Sequence, residues 1–461
     1  MSTDRRTVLA LSGALLAGMA GCTGTDDDPT SNGDSNGTEP TDEYDGDFPE
    51  LGFVTDPDLE DALLAEQIRE NVAFSLDLLE QLRAEGPDEN LFFSPYSVSV
   101  ALAMTYAGAR GETATEMADA LRYELEDDEI HGAFGALEAE FERRNEDGAE
   151  VDDPYGTDDN ETDEDELGFE LSSANAVWVD DGFALEEEYL ELLELYYEAG
   201  ERLVDFSGSP EAARQEINAW VEERTDDRIE DLLPESTISE STRLVLTNAV
   251  YFLAAWKHDF DSADTTPEPF ASLDGSETEV EMMHQREELR YADVDDHQLV
   301  ELPYANDDTS MVVVLPAEGE FESFEESFSV DRLATMLEET TRPEVDLALP
   351  KFGIESTVSL VEVMQKLGME RAFGGGADFS GMVEGDSSGL FISDIVHESF
   401  LEVDEEGTEA AAATAVAMDE SAPAEQVELA VDRPFLFYIR DRPTETPLFF
   451  GRVVDGETLR E

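Results

Sequence analysis

Gly385-Asp386-Ser387-Ser388-Gly389 formally matches the G-x-S-x-G nucleophile elbow, in which a tight strand-to-helix turn exposes a serine for acyl transfer. In this chain an acidic loop precedes the motif and a β-rich run follows it, so the context that would activate Ser387 is missing. The five histidines, His131, His258, His284, His297 and His397, form no H-E-x-x-H pair, and His397-Glu398 lacks a second histidine. Structural roles are the default expectation for all five. A lone cysteine, Cys22, gives neither a disulfide framework nor a thiolate cluster for zinc. These residues lead us to expect no catalytic group, no metal and no cofactor.

Chemistry of another kind is written in Glu405-Glu406-Gly407-Thr408-Glu409, which runs into Ala410, Ala411, Ala412 and Ala413, with Thr414, Ala415 and Val416 behind. Only small side chains fill the segment, so it has little core of its own and would suit a narrow slot between existing strands. Side chains alternate faces along a strand. Thr408, Ala410, Ala412 and Thr414 would therefore share one face, buried without a large cavity or a buried charge, and Glu409 would stay on the wet one. Taken alone, the same residues read equally well as an alanine-rich helix or a linker. Their flanks favour the strand: Leu390 to Val403 upstream is β-rich, and Val431 to Arg440 with Leu448 to Val453 downstream reads as a closing hairpin.

The elements that must carry this segment can be placed by periodicity. Leu64, Ile68, Val72, Leu76 and Leu79 recur at helical spacing between residues 59 and 82. Tyr189 to Tyr197 and Pro210 to Thr225 also read as helices, the second with Pro210 in its first turn and Ile217, Trp220 and Val221 facing inward. Leu171 to Val179 alternates like a strand. Arg243 to Trp256 is apolar enough for a central strand buried on both faces, and Met311 to Pro316 and Val345 to Pro350 are further strands. Residues 143–168 are acidic and turn-forming, which predicts a surface insertion. Strands scattered among helices without a βαβ rhythm predict an α+β class, with one large domain over residues 59–461.

The order of several blocks resembles the serpin family, of the inhibitory type. Asn90-Leu91-Phe92-Phe93-Ser94-Pro95-Tyr96-Ser97 is followed by Gly108-Ala109-Arg110-Gly111-Glu112-Thr113, Thr247-Asn248-Ala249-Val250-Tyr251-Phe252, Trp256, Met282-Met283-His284, Leu302-Pro303-Tyr304, Leu349-Pro350-Lys351-Phe352 and Ala377-Asp378-Phe379-Ser380-Gly381-Met382. The resemblance implies a fold with three β-sheets, about eight or nine helices and an exposed reactive loop, here residues 405–430. It implies a suicide substrate: a serine protease cuts the loop, and the cut loop inserts as a new strand that drags the acyl-enzyme about 50 Å at roughly 3.3 Å per residue. Glu405 to Thr414 would be the hinge. Ser94, Ser97, Asn248 and His397 would form a polar cluster where the sheet parts, with Trp256 at the top of the opening, and they could equally be core supports.

Counting from Gly407 by the family spacing places the cut bond at Ser421-Ala422. Counting back from Pro434 favours Pro423-Ala424, but the hinge count governs because insertion geometry depends on it, and Met418 is the runner-up. Small residues there suit elastase-like or subtilisin-like proteases, Met418 suits chymotrypsin-like ones, and the absence of Arg and Lys argues against trypsin-like targets. The implied partner is thus a serine protease, held covalently by a monomeric inhibitor. The alternative is a non-inhibitory member acting as a surface binding protein, against which the small residues Ala410 to Ala413 speak.

Charge sets the setting. The chain carries 115 Asp and Glu against 26 Lys and Arg, a net charge of −89, which excludes ordinary nucleic-acid binding and leaves no basic stripe for a heparin-like cofactor. Such a chain repels itself in dilute buffer, whereas at 1 M salt the Debye length falls to roughly 3 Å. A folded, salt-adapted protein is expected. Arg5-Arg6 and the apolar stretch Val8 to Ala20, ending at Gly21-Cys22, predict a twin-arginine export signal over residues 1–22 and a lipid anchor on Cys22. Residues 23–58 then form an acidic tether to an extracellular, surface-held domain. Asn36 and Asn160 open sequons.

Overall fold

The computed structural model describes residues 61–460 other than 126, 150–168, 198, 201, 226 and 409–425. The described residues form nine α-helices and sixteen strands in three sheets. The chain begins with α1 (Asp61–Glu85), β1 (Leu91–Phe93), α2 (Pro95–Tyr106), α3 (Gly111–Ala120) and α4 (Asp127–Ala149), then β2 (Phe169–Asp180), α5 (Glu187–Tyr197), β3 (Leu203–Val204), α6 (Pro210–Arg224) and β4 (Leu244–Ala255). Its middle holds β5 (Thr266–Ala271), β6 (Glu277–Glu288), β7 (Arg290–Val294), β8 (His297–Pro303), β9 (Thr309–Leu315), α7 (Phe321–Glu326) and α8 (Val330–Glu338). It ends with β10 (Glu344–Pro350), β11 (Phe352–Ser359), α9 (Val361–Lys366), β12 (Ile392–Val403), β13 (Gly407–Thr408), β14 (Gln426–Ala430), β15 (Phe435–Asp441) and β16 (Thr446–Val453).

The sheet that matters most has the order β11-β12-β4-β2-β3, with β13 on β4. A second runs β1-β16-β15-β9-β8-β7 and a third β14-β10-β6-β5. Because β4 is buried along nearly its whole length, its side chains serve two cores in alternation. Leu244, Leu246, Val250, Phe252 and Ala254 join the main core, and Val245 and Ala249 join a smaller one with Trp178 and with Ile217 and Val221 of α6. This explains why the segment reads as a continuous apolar run rather than as an alternation.

Helix α2 is buried on every side, as a helix apolar all round must be. Ser94 caps it, its hydroxyl accepting from the Ser97 N–H at 3.1 Å, and Pro95 occupies the first turn, where no N–H is needed. The cap thus fixes Ser94 and Ser97 against the underside of the sheet.

One boundary requires correction. The surface insertion expected over 143–168 starts too early, because α4 continues to Ala149. Arg144 is 1% exposed and reaches Asp441 at 3.0 Å and Glu140 at 3.4 Å. Its charge looks like a surface signal in the sequence, but it is neutralised inside by Glu140 one helical turn away and by Asp441, distant in the chain. Residues 150–168 lie outside the described part.

Candidate functional site

Strands β12 and β4 run parallel and in register from Ile392 opposite Leu244 to Phe400 opposite Tyr251, with an irregularity after Ile392. Parallel pairs are slightly less stable per residue than antiparallel ones. This seam is crossed by the polar cluster anticipated from the sequence. His397 and Asn248 are register partners, and the imidazole Nδ1 is bonded to the Asn248 Oδ1. The other ring nitrogen, Nε2, accepts from the Ser94 N–H at 3.1 Å. This arrangement requires a neutral ring with its proton on Nδ1, and burial holds the His397 pKa down at about 4 against the opposing pull of Asn248.

Asn248 donates in turn to the Ser97 hydroxyl at 2.6 Å and to the Asn175 Oδ1. Ser97 donates to Asn175 at 2.9 Å, and Ser94 donates to the Leu448 carbonyl at 2.7 Å. Every member has a partner, as buried polar groups require. The sequence reading missed Asn175. It sits opposite Asn248 on β2, and its signal was its place on the face that Phe169, Leu171, Val177 and Val179 turn to the main core.

At the upper end of the seam the chain leaves β12, turns at Asp404, Glu405 and Glu406, and comes back as β13. There Gly407 and Thr408 pair antiparallel with Ala255 and Ala254. Asp404 closes the turn: its N–H donates to the Gly407 carbonyl at 2.9 Å, and its Oδ1 accepts from the Glu406 and Gly407 N–H groups. Gly407 is needed for the close approach, since a Cβ there would lie 2.2 Å from the Ala254 carbonyl oxygen.

Trp256 holds the turn from below. Its indole Nε1 donates to the Asp404 carbonyl at 3.0 Å and its backbone N–H to the Glu406 carbonyl at 2.9 Å, while its ring stacks on Tyr304 at 4.6 Å. Glu405 is pinned by Lys351 at 2.9 Å and by the Thr265 hydroxyl at 2.8 Å. Desolvation opposes the Glu405 charge, yet these bonds hold its pKa below the usual range.

Ser94, Ser97, Asn248, Trp256 and His397 therefore fall along one seam with Glu405, Glu406, Gly407 and Thr408 of the expected hinge. Glu409 to Thr414, Met418, Ser421, Ala422, Pro423 and Cys22 lie outside the described residues. Ser387 occupies an irregular loop ahead of β12 with no helix following it, which is not the setting of a nucleophile elbow. Among the described residues no group of three or more His, Cys, Asp and Glu side chains is placed to hold a metal ion.

The chain is similar to known proteins of one family. A family model described as "Serpin (serine protease inhibitor)" matches residues 69–456. An uncharacterized serpin-like protein of Thermococcus kodakarensis is 39% identical over 98% of this chain and 99% of its own. Leukocyte elastase inhibitor A of Mus musculus is 36% identical over 83% of this chain and 97% of its own. Among solved structures, human thyroxine-binding globulin is similar with a TM-score of 0.73 and 30% identity, over 87% of this chain and all of that one.

Proposed function

The chain belongs to the serpin family of serine protease inhibitors, and from that premise we propose that it is an inhibitory member, a suicide substrate that traps its protease by inserting the cut loop between β4 and β12. The observation that carries this reading is the pairing of Gly407 and Thr408 with Ala255 and Ala254 at the head of the parallel seam. The first two residues of the new strand already lie along β4.

Continued in the same register, Ala410 would meet Phe252, Ala412 would meet Val250, Thr414 would meet Asn248 and Met418 would meet Leu244, the first residue of β4. Thr408, Ala410, Ala412 and Thr414 would face the main core, with no side chain larger than threonine to accommodate. Insertion replaces one parallel seam by two antiparallel ladders, each residue gaining backbone partners. Thr414 would arrive between Asn248 and His397, where its hydroxyl replaces the bond that opening breaks. A cut at Ser421-Ala422 would leave the acyl group just past the far end of β4, about 50 Å from its starting point at roughly 3.3 Å per residue.

The target we propose is an extracellular subtilisin-like, elastase-like or chymotrypsin-like protease, met by a salt-adapted inhibitor exported through Arg5-Arg6 and anchored at Cys22. Support for that setting is the net charge of −89 and the leader pattern. The second reading is a non-inhibitory binding protein, favoured by the likeness to thyroxine-binding globulin and opposed by the small residues Ala410 to Ala413. Incubation with a subtilisin-like protease in concentrated salt separates the two. An inhibitor yields a complex that survives boiling in detergent, and clean cleavage without a complex supports the binding protein.

A further inference from the structure

In a chain whose carboxylates outnumber its cations 115 to 26, one pocket inverts the ratio. It opens beside the ends of β4 and β8, with a volume of about 120 Å³, and is lined by Lys257, Arg290, Arg342 and Arg442 together with the His258 ring. The carboxylates on its wall are Glu288, Glu301 and Asp307. Four permanent cations thus face three anions.

Two of the three anions are already engaged, largely by the pocket's own cations. Glu301 receives Arg440 at 2.9 Å and Arg442 at 3.3 Å on one oxygen and Arg290 at 3.0 Å on the other, so that three guanidinium groups share it. Its first oxygen accepts from Ser310 as well, at 2.8 Å. Asp307 is held by Lys257. Arg342 and His258 are exposed, and among the described residues no ion pair joins Arg342 to a carboxylate.

We propose that this pocket binds a free tetrahedral oxyanion, inorganic sulfate or phosphate. The volume is that of about four water molecules at roughly 30 Å³ each, which suits such an ion. Guanidinium forks match its oxygens geometrically. Contact hydrogen bonds of this kind persist in concentrated salt, where only long-range attraction is screened away.

The pocket is coupled to the hinge through two short backbone segments. Lys257 follows Trp256 and donates its N–H to the Pro303 carbonyl at 3.0 Å; Pro303 in turn precedes Tyr304, on which Trp256 stacks. An anion that fixes Lys257 therefore also steadies the tryptophan that holds the Asp404–Gly407 turn. The binding claim stands without the inhibitory reading, because no protease enters its test.

Isothermal titration of the full chain in concentrated potassium chloride, with sodium sulfate and sodium phosphate as separate titrants, reads it directly. Saturable binding at one site is expected for at least one of the two anions, with Arg342→Gln weakening it about tenfold, the loss of one charge-assisted contact. Lys257→Gln, a second exposed substitution, is expected to weaken it as well. Absence of saturable heat with both anions, or an affinity unchanged in both variants, overturns the site.

Discussion

Asn248 of β4 and His397 of β12 face each other as register partners across two parallel strands, and the bond between their side chains lies at the level where the continued hinge register places Thr414. Its removal should loosen the seam. Asn248→Ala leaves the imidazole N–H without its acceptor and takes a donor from Ser97, at about 1–3 kcal/mol per orphaned buried group. Calorimetry of the intact protein should show a lower melting temperature for this variant. A melting temperature equal to wild type would show that the pair does not hold the seam closed.

Two neighbours contribute to the pH dependence with opposite signs. His397 titrates near 4 in the native state and near 6.5 unfolded, so the unfolded chain binds the extra proton between these values. Its contribution is complete above about pH 6.5 and is lost as pH falls towards 4. Burial instead lifts Glu398 to about 7, so the native state keeps a proton that the unfolded chain releases from about 4.5 upward, and stability falls as pH rises through that window. The two effects offset each other between about pH 4.5 and 6.5. Glu398→Gln removes one of them, and its advantage over wild type in thermal unfolding should be larger at pH 8 than at pH 4.5. An equal advantage at both pH values contradicts the assignment.

The Lys351–Glu405 pair clamps the turn that feeds the loop. Both side chains are partly exposed, so the net contribution is about 0.5–1.5 kcal/mol. Lys351→Gln should change global stability little. It should, however, raise amide exchange at Gly407 and Thr408, because the turn then loses its charged clamp and rests on Thr265, Phe260, Trp256 and Asp404. Unchanged exchange at these two amides would assign the hinge geometry to the backbone bonds instead.

Much of this site was legible before the fold was known. The apolar run Arg243 to Trp256 marks β4, observed as Leu244–Ala255, because a strand buried on both faces cannot hide its composition. Pro210 marks the start of α6 for an equally local reason: it carries no N–H to satisfy. Distant electrostatics was not legible. Arg144 reads as surface until Asp441, far along the chain, is seen beside it. Asn175 was overlooked for the same reason, since its role depends on pairing with Asn248 and not on its own neighbours. The expectation that Ser94, Ser97, Asn248 and His397 converge came from the order of family-like blocks, and short-range periodicity alone would not have joined them.

Ala412 would face the core opposite Val250 in the continued register. Ala412→Arg brings a guanidinium into that slot, and an unpaired buried charge costs several kcal/mol. The variant should be cut at an unchanged rate while the yield of detergent-stable complex falls at least about tenfold, each 1.4 kcal/mol being worth a factor of ten. Full complex yield with this variant would rule out insertion past that position.

The proposed inhibitor mechanism requires that the intact chain be held short of its most stable arrangement, which it reaches only after the cut. The direct measurement compares melting temperatures, in one concentrated salt buffer, of the intact protein and of the protein nicked within residues 418–424. A nicked product that melts clearly above the intact one is the predicted result. A nicked product that melts at the same temperature or lower contradicts it.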